Sequence, residues 1–322
     1  MPHITNVTPW SRREFLGRSA AAAAGALLLP AGVLAASEKR LVILHTNDTH
    51  SRMDPFPMDG GRNEGLAGVA RRQTLVDRIR AEHRNVLLLD SGDVFQGTPY
   101  FNMFKGEVEL RAMHAMRYDV ATLGNHDFDN GVGGLVDMLH HAPDLKWVSA
   151  NYDVAGSRLE RHVEPRVILE RGGIRIGIFG LGIAFDGLVL PDLHEGVSYS
   201  DPILAARRQA DALHQADCDL VVCLSHLGYR YRDEDRPDDV SLAAEVPGID
   251  VILGGHTHTF LDAPIAVERP VAAGDSAERP PALINQVGFA GIRLGRLDFI
   301  FDGRGRLSRW YAAHYDVNDR YA

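Results

Sequence analysis

Seven short apolar runs punctuate the chain, and each ends in a polar or glycine-rich turn. They are LVILHTND (41–48), NVLLLDSGD (85–93), YDVATLGNHD (118–127), LKWVSANYD (145–153), IRIGIFGLG (174–182), CDLVVCLSH (218–226) and IDVILGGHTH (249–258). Their density of leucine and β-branched residues is that of strands buried on both faces. Between them lie stretches of helical spacing: 65–83, with Val69, Leu75, Val76 and Ile79, then 106–117, 133–142 and 203–216. Strands alternating with helices predict an α/β fold. The segment 292–315 instead alternates apolar and polar residues around DGRG, which predicts an antiparallel hairpin. The Pro-, Ala- and Glu-rich stretch 262–283 reads as a surface loop within one domain that spans residues 37–322.

The first 36 residues follow a different pattern. SRREFLG (11–17) leads into RSAAAAAGALLLPAGVLAA, a charged segment, an Ala/Leu-rich segment and then small residues. Paired arginines before Phe15 and Leu16 resemble a twin-arginine export signal, with cleavage expected near Ala35 or Ala36. The apolar part is short and alanine-rich for a span of about 20 residues, so the mature chain is expected to carry no membrane span and to reside in the periplasm or outside the cell.

Composition narrows the function. The 322 residues are 45% hydrophobic and 24% charged, with a net charge of −9 and no basic run beyond the N-terminus, which argues against a nucleic-acid polymer as partner. Only Cys218 and Cys223 are present. Five positions along a strand is roughly 16 Å, beyond the ~7 Å a disulfide tolerates, so both read as small apolar residues. No heptad pattern points to an oligomer.

The strand ends carry the candidate chemistry, because ligands of open α/β sheets gather at the carboxyl ends of strands. Five runs finish in potential metal ligands: Asp48 and His50, Asp93, Asn125, His226, then His256 with His258. Carboxylate, imidazole and amide oxygen together suit Mn, Fe, Zn or a similar divalent ion, and the lack of cysteine argues against a structural zinc cage. Seven such residues exceed the needs of one ion but suit two ions about 3.5–4 Å apart that share a carboxylate. At strand-like spacing His256 and His258 project to one side, each toward one ion. His45, inside the first run, reads as a core residue, and His83, His114, His140, His141, His162, His194, His214 and His314 read as ordinary histidines.

The order NDTH, GD, GNHD, SH, GHTH resembles the calcineurin-like metallophosphoesterase superfamily. The longer strings LVILHTNDTHS, DSGDVFQGTPYFNMFKGE, ATLGNHDFDNG, VSANYD, VILGGHTHTF and NQVGFAGIRLGRLDFIFD are similar to the N-terminal catalytic domain of the 5′-nucleotidase family, over roughly residues 41–302. The resemblance implies a four-layer αββα sandwich with a dinuclear site. One ion would be held by Asp48, His50, Asp93 and His258, the other by Asp93, Asn125, His226 and His256. His126 would be the catalytic histidine and Asp129 the carboxylate that orients it. Asp127 is a rival for that second role, with a structural hydrogen bond in the turn as its preferred reading.

The expected function is hydrolysis of phosphate esters, 5′-nucleotides or 2′,3′-cyclic nucleotides among them, by a hydroxide shared between the ions. The family's longer members carry a C-terminal nucleoside-binding domain with no counterpart here, so a separate nucleoside-binding polypeptide is an expected possibility. Hydrolysis of a sulfur ester on a carrier protein is the alternative chemistry, and a non-catalytic scaffold the third reading. YRYRDEDRPDD (229–239), just after His226, reads first as a solvated charged loop and second as a substrate entrance.

Overall fold

The computed structural model describes residues 38–232, 236–269 and 280–322. The segment read as an export signal lies outside the described residues, as does the middle of the 262–283 stretch.

Two sheets face each other. The first runs, edge to edge, through Leu307–Asp316, Arg293–Phe301, Lys39–Thr46, Val86–Asp90, Val120–Thr122, Lys146–Val148 and Val163–Glu164. The second runs through Ile265–Val267, Ala282–Asn285, Val251–Gly254, Leu220–Ser225, Ile174–Leu181 and Arg166–Arg171. Lys39–Thr46, Val86–Asp90, Val120–Thr122 and Lys146–Val148 are mutually parallel, and so are Ile174–Leu181, Leu220–Ser225 and Val251–Gly254. The hairpin expected over 292–315 forms, with Arg293–Phe301 antiparallel to Leu307–Asp316 and a register shift at Ile300/Phe301.

Alternation of side chains along each strand sorts them into three apolar layers. Leu41, Ile43, Leu87, Leu89, Val120 and Val148 point between the sheets and meet Ile176, Ile178, Val222, Leu224, Val251 and Leu253 of the other. Val42, Leu44 and Leu88, one residue out of phase, face outward onto the helices Val69–Glu82, Glu107–Met116 and Gly131–Leu139. Phe179, Val221, Cys223 and Ile252 face outward on the second sheet, against Pro202–Gln215 and Asp239–Glu245. The order is helix, sheet, sheet, helix, as expected, and it explains the near-continuous apolar runs: these strands are buried on both faces.

Four features depart from the expected pattern. Ile265–Val267 forms an antiparallel edge strand inside the stretch read as loop, against Ala282–Asn285. Arg166–Arg171 is the opposite edge, and its mixed exposure hides it among charged neighbours. Two short helices, Pro99–Phe104 and Asp239–Glu245, lack the length for a clear period. The cysteines are unpaired as expected, and no helix among the described residues is long and apolar enough to cross a membrane.

The two sheets are in tight contact at Gly180. A Cβ on Gly180 would overlap the Val148 carbonyl oxygen and the Thr122 hydroxyl of the facing sheet. Gly180→Ala is therefore expected to cost about 2 kcal/mol of stability, as overpacking does, read as a lower urea midpoint with an unchanged slope. An unchanged midpoint would show that the sheets have room to part there.

Candidate metal centre

Because the parallel strands of both sheets point the same way, their carboxyl ends meet along one edge of the sandwich. Three turns come from the first sheet, after Thr46, Asp90 and Thr122, and two from the second, after Ser225 and Gly254. The turns are stitched together through their backbones. Asp48 N–H donates to Gly92 O (2.9 Å), His50 N–H to Asp93 O (3.1 Å) and Ser51 N–H to Val94 O (2.9 Å). Across the sheets, Ser91 Oγ donates to Leu253 O at 2.7 Å.

All seven candidate ligands come together there. Asp48, His50 and His258 form one group and Asp93, His226 and His256 another, with the ligand atoms of each group within 4.8 Å of one another. In the first group, His50 Nε2 lies 3.0 Å from His258 Nε2, and His258 Nε2 lies 3.3 Å from Asp48 Oδ1. In the second, His226 Nε2 lies 3.1 Å from Asp93 Oδ2, and Asn125 Oδ1 joins by its 3.0 Å approach to His256 Nδ1. Asp93 Oδ2 also lies 3.9 Å from His50 Nε2, which places that carboxylate between the groups.

The ring orientations suit metal binding. His226 Nδ1 donates to Ser91 O (2.7 Å) and His50 Nδ1 to Phe95 O (3.2 Å), so both rings turn Nε2 inward. His226 Nε2 is fully buried and, despite its closeness to Asp93, makes no aligned hydrogen bond. Two ligand atoms aimed at a common third position would look this way. Donor set, convergence and this orphaned nitrogen fit a divalent cation in each group.

Electrostatics agree. Burial alone would lower the His226 pKa and raise that of Asp93. The charge of Asp93 outweighs this and lifts His226 to about 10, while His226, then His50 and His126, hold Asp93 well below the usual carboxylate range. Burial, then the charge of His226, lowers His256 to about 4. Burial also lowers His50. The cluster thus strongly favours positive charge beside Asp93.

His126 stands apart at the mouth. Its ring is 5.4 Å from that of His50, and its Nδ1 lies 2.9 Å from Asp129 Oδ2. That hydrogen bond raises the His126 pKa against a lowering by burial. Asp127 points elsewhere. It is fully buried and accepts from the backbone N–H groups of Asp93 (3.0 Å), Val94 (2.9 Å) and Gly124 (2.8 Å), with a longer bond from Phe95 (3.3 Å). Its carboxylate ties two turns together, and Asp129 faces the imidazole. Burial, then the nearby Asp93 charge, pushes the Asp127 pKa up to about 7.

One expectation needs correction. His256 and His258 do not lie on strand backbone; the strand ends at Gly254, and both residues have left-handed φ angles of 70° and 51°. The turn sends His256 to Asp93 and Asn125, and His258 to Asp48 and His50. His45 is buried in Lys39–Thr46, where Asn285 Nδ2 approaches its Nε2 at 2.9 Å; burial lowers its pKa to about 3. It belongs to neither group, and neither do the other histidines read as ordinary.

Several supporting residues carried no sequence signal of their own. Asn47 Nδ2 donates to Asp48 Oδ2 (2.6 Å), and Asn47 Oδ1 accepts from Val287 N–H (3.0 Å). Gln286 Nε2 donates to Gly255 O (2.6 Å), and its Oε1 accepts from Thr257 Oγ1 (3.1 Å). Phe289 stacks on His258 with ring centroids 5.0 Å apart. Gln286 and Phe289 fall in the NQVGFAG string, so that string braces the GHTH turn.

A double-sheet α/β sandwich with paired O/N ligand groups at its strand ends defines the metal-dependent phosphoesterase class. The chain belongs to the calcineurin-like phosphoesterase family, whose model matches residues 41–260. It is 36% identical over 281 residues to a snake venom 5′-nucleotidase of Naja atra, covering 83% of this chain and 51% of that protein. It is 34% identical over 306 residues to the human 5′-nucleotidase, covering 89% and 52%. The crystal structure of a 5′-nucleotidase precursor from Thermus thermophilus superposes with a TM-score of 0.76 at 34% identity, covering 88% of this chain and 56% of that one. The chain therefore spans about half the length of these relatives.

Gly124 offers a test of the placement of the Asp93 carboxylate between the two groups. A Cβ there would overlap Asp93 Oδ1 and come 2.7 Å from His226 Cε1. Gly124→Ala is expected to lower the bound-metal stoichiometry after gel filtration by at least half relative to wild type while the circular dichroism of the sandwich persists. Full metal occupancy in that variant would show that Asp93 can move without consequence.

Proposed function

We propose that this chain hydrolyses phosphate esters, with nucleotides as its natural substrates, at a centre of two divalent ions drawn from Mn, Fe and Zn. The observation that carries this reading is a pair of ligand groups meeting at Asp93, with the His126–Asp129 pair beside them at the mouth. The ions would lower the pKa of a water toward neutrality and take up charge from phosphoryl oxygens. Asp48, His50, Asp93 and His258 would hold one, and Asp93, Asn125, His226 and His256 the other.

The chain's own contribution is position and a proton. Asp129 fixes the His126 ring through Nδ1, which leaves Nε2 for the substrate. The raised pKa favours the cationic ring, suited to meet charge that grows on the leaving oxygen and to deliver a proton to it. Asp127 keeps Asp93 in place by holding the backbone on either side of the site. In an acidic protein, cations in the site would supply the positive charge that an anionic substrate needs.

The similarity to 5′-nucleotidases supports nucleotides as substrates. Residues 37–322 act as one catalytic domain in this reading, and a separate nucleoside-binding polypeptide is its natural complement. The RREFLG string and the apolar segment after it support twin-arginine export to the periplasm or beyond.

The test is phosphate release from p-nitrophenyl phosphate, bis-p-nitrophenyl phosphate, 5′-nucleotides and 2′,3′-cyclic nucleotides, after chelation and again with Mn²⁺ restored. Turnover is expected to vanish on chelation and return with metal; turnover that survives chelation contradicts the reading. His126→Ala is expected to retain both ions and lose about 10²- to 10⁴-fold in kcat, the usual scale of a lost general acid. Full activity in that variant removes His126 from the chemistry. Asp129→Asn is expected to fall between the two.

A further inference from the structure

The strand Ala282–Asn285 ends beside the GHTH turn, and the next side chain, Gln286, is fully buried there. Both ends of its carboxamide are used. Nε2 donates to Gly255 O at 2.6 Å, one residue before His256. Oε1 accepts from Thr257 Oγ1 at 3.1 Å and from Thr259 N–H, the residues on either side of His258. A backbone N–H can only donate, so Thr259 fixes which end of the amide is the oxygen. The backbone adds two more ties: Leu261 N–H donates to Gln286 O and Gly288 N–H to Thr259 O, both at 3.0 Å. One planar group thus spans the turn, with His256 and His258 between its anchor points.

The two histidines need such a clamp. Both have left-handed φ angles, which persist only where the surroundings over-determine them. They also serve different groups, so their relative placement decides how the groups meet. The hydrogen bonds around Gln286 close into a ring through both sheets. Val287 N–H, the next residue, donates to Asn47 Oδ1 (3.0 Å), and Asn47 Nδ2 donates to Asp48 Oδ2 (2.6 Å). The Asp48 carboxylate accepts from His256 N–H (3.0 Å), which returns the ring to the turn that Gln286 holds. Thr257 Oγ1 also accepts from Tyr229 N–H (2.9 Å), three residues after His226. A closed buried network of this kind passes a shift at one member to the others.

We infer that Gln286 is a positioning residue that fixes His256 and His258 relative to each other and so couples the two cation sites. The inference rests on the two-ion reading and deepens it. Gln286 touches neither ion nor substrate; it acts through the backbone on both sides of each histidine. Its nitrogen steadies the approach to His256, and its oxygen steadies both neighbours of His258. Loss of the carboxamide therefore reaches both groups at once, whereas loss of one ligand would reach only its own.

The test is calorimetric titration of the metal-free protein with Mn²⁺, with electron paramagnetic resonance of the saturated samples to read the spin coupling between the ions. Gln286→Met keeps the length and removes every side-chain hydrogen bond. It is expected to weaken both ions about tenfold, the scale of a lost supporting contact, and to change the spin coupling. Gln286→Glu keeps the acceptor for Thr257 and Thr259 and is expected to recover part of the loss. Ile284→Val trims a buried side chain two residues earlier in the same strand and should bind both ions as wild type does. If Gln286→Met does not fold, Thr257→Val carries the test, with a smaller loss at both sites expected. Affinities within twofold of wild type and an unchanged coupling in Gln286→Met, or in Thr257→Val where that variant stands in, overturn the inference. So does a loss confined to one ion, or an equal loss in Ile284→Val. Wild type that takes up a single ion overturns the two-ion reading and the inference with it; two ions in wild type with an unaffected Gln286→Met overturn the inference alone.

Discussion

A buried carboxylate shared between two sets of imidazoles is the constraint on which the rest of this structure turns. Asp93 is almost fully buried, with His226 at 3.1 Å on one side and His50 at 3.9 Å on the other. A charge taken out of water costs several kcal/mol unless it is paired. Pairing Asp93 requires positive charge beside it, and the seven candidate ligands form two groups that meet at it. Two parallel strand sets must end at one edge to deliver them, and two sheets packed face to face achieve this. The apolar layers hold those strand ends in register, and Asp127, Ser91, Asn47 and Gln286 lock the turns that follow.

The site is also where the backbone departs from its easy conformations. Asp48, His50, Asp93, His256 and His258 all have left-handed φ angles between 47° and 70°. L-residues in that region cost roughly 1–2 kcal/mol each, and such strain persists only where the surroundings over-determine it. Here the surroundings do. Both Asp48 carboxylate oxygens approach His256 N–H at 3.0 Å, and Ala290 N–H donates to Asp48 O at 2.6 Å. The turns curl back on themselves so that residues one or two positions apart reach different groups, as His256 and His258 do.

That curl marks the limit of what the sequence made legible. Buried strands announce themselves through runs of β-branched residues and leucine, so the α/β pattern and the candidate ligands at the strand ends could be anticipated from the residues, whereas the four layers and the His126–Asp129 pairing were implied by the family resemblance of the motifs. Period-two reasoning failed at GHTH because a strand rule was carried past Gly254 into a turn. The edge strands Ile265–Val267 and Arg166–Arg171 were obscured for the opposite reason: half exposed, they carry polar and charged neighbours that read as loop. Gln286 and Asn47 brace the site through single amides, which leave no periodic trace. In the charged stretch after His226, read first as solvated surface, Arg230, Arg232 and Arg236 are exposed, while Tyr229 and Tyr231 are tied to the turns at Thr257 and Leu227.

Asp93 at the junction of two cation sites is the central claim, and anomalous diffraction from crystals of the Mn²⁺-loaded chain tests it most directly. The account predicts two peaks about 3.5–4 Å apart, the usual spacing of a shared-ligand pair, with Asp93 between them and one peak in each histidine group. A single peak, or two peaks with Asp93 bound to only one, would contradict it.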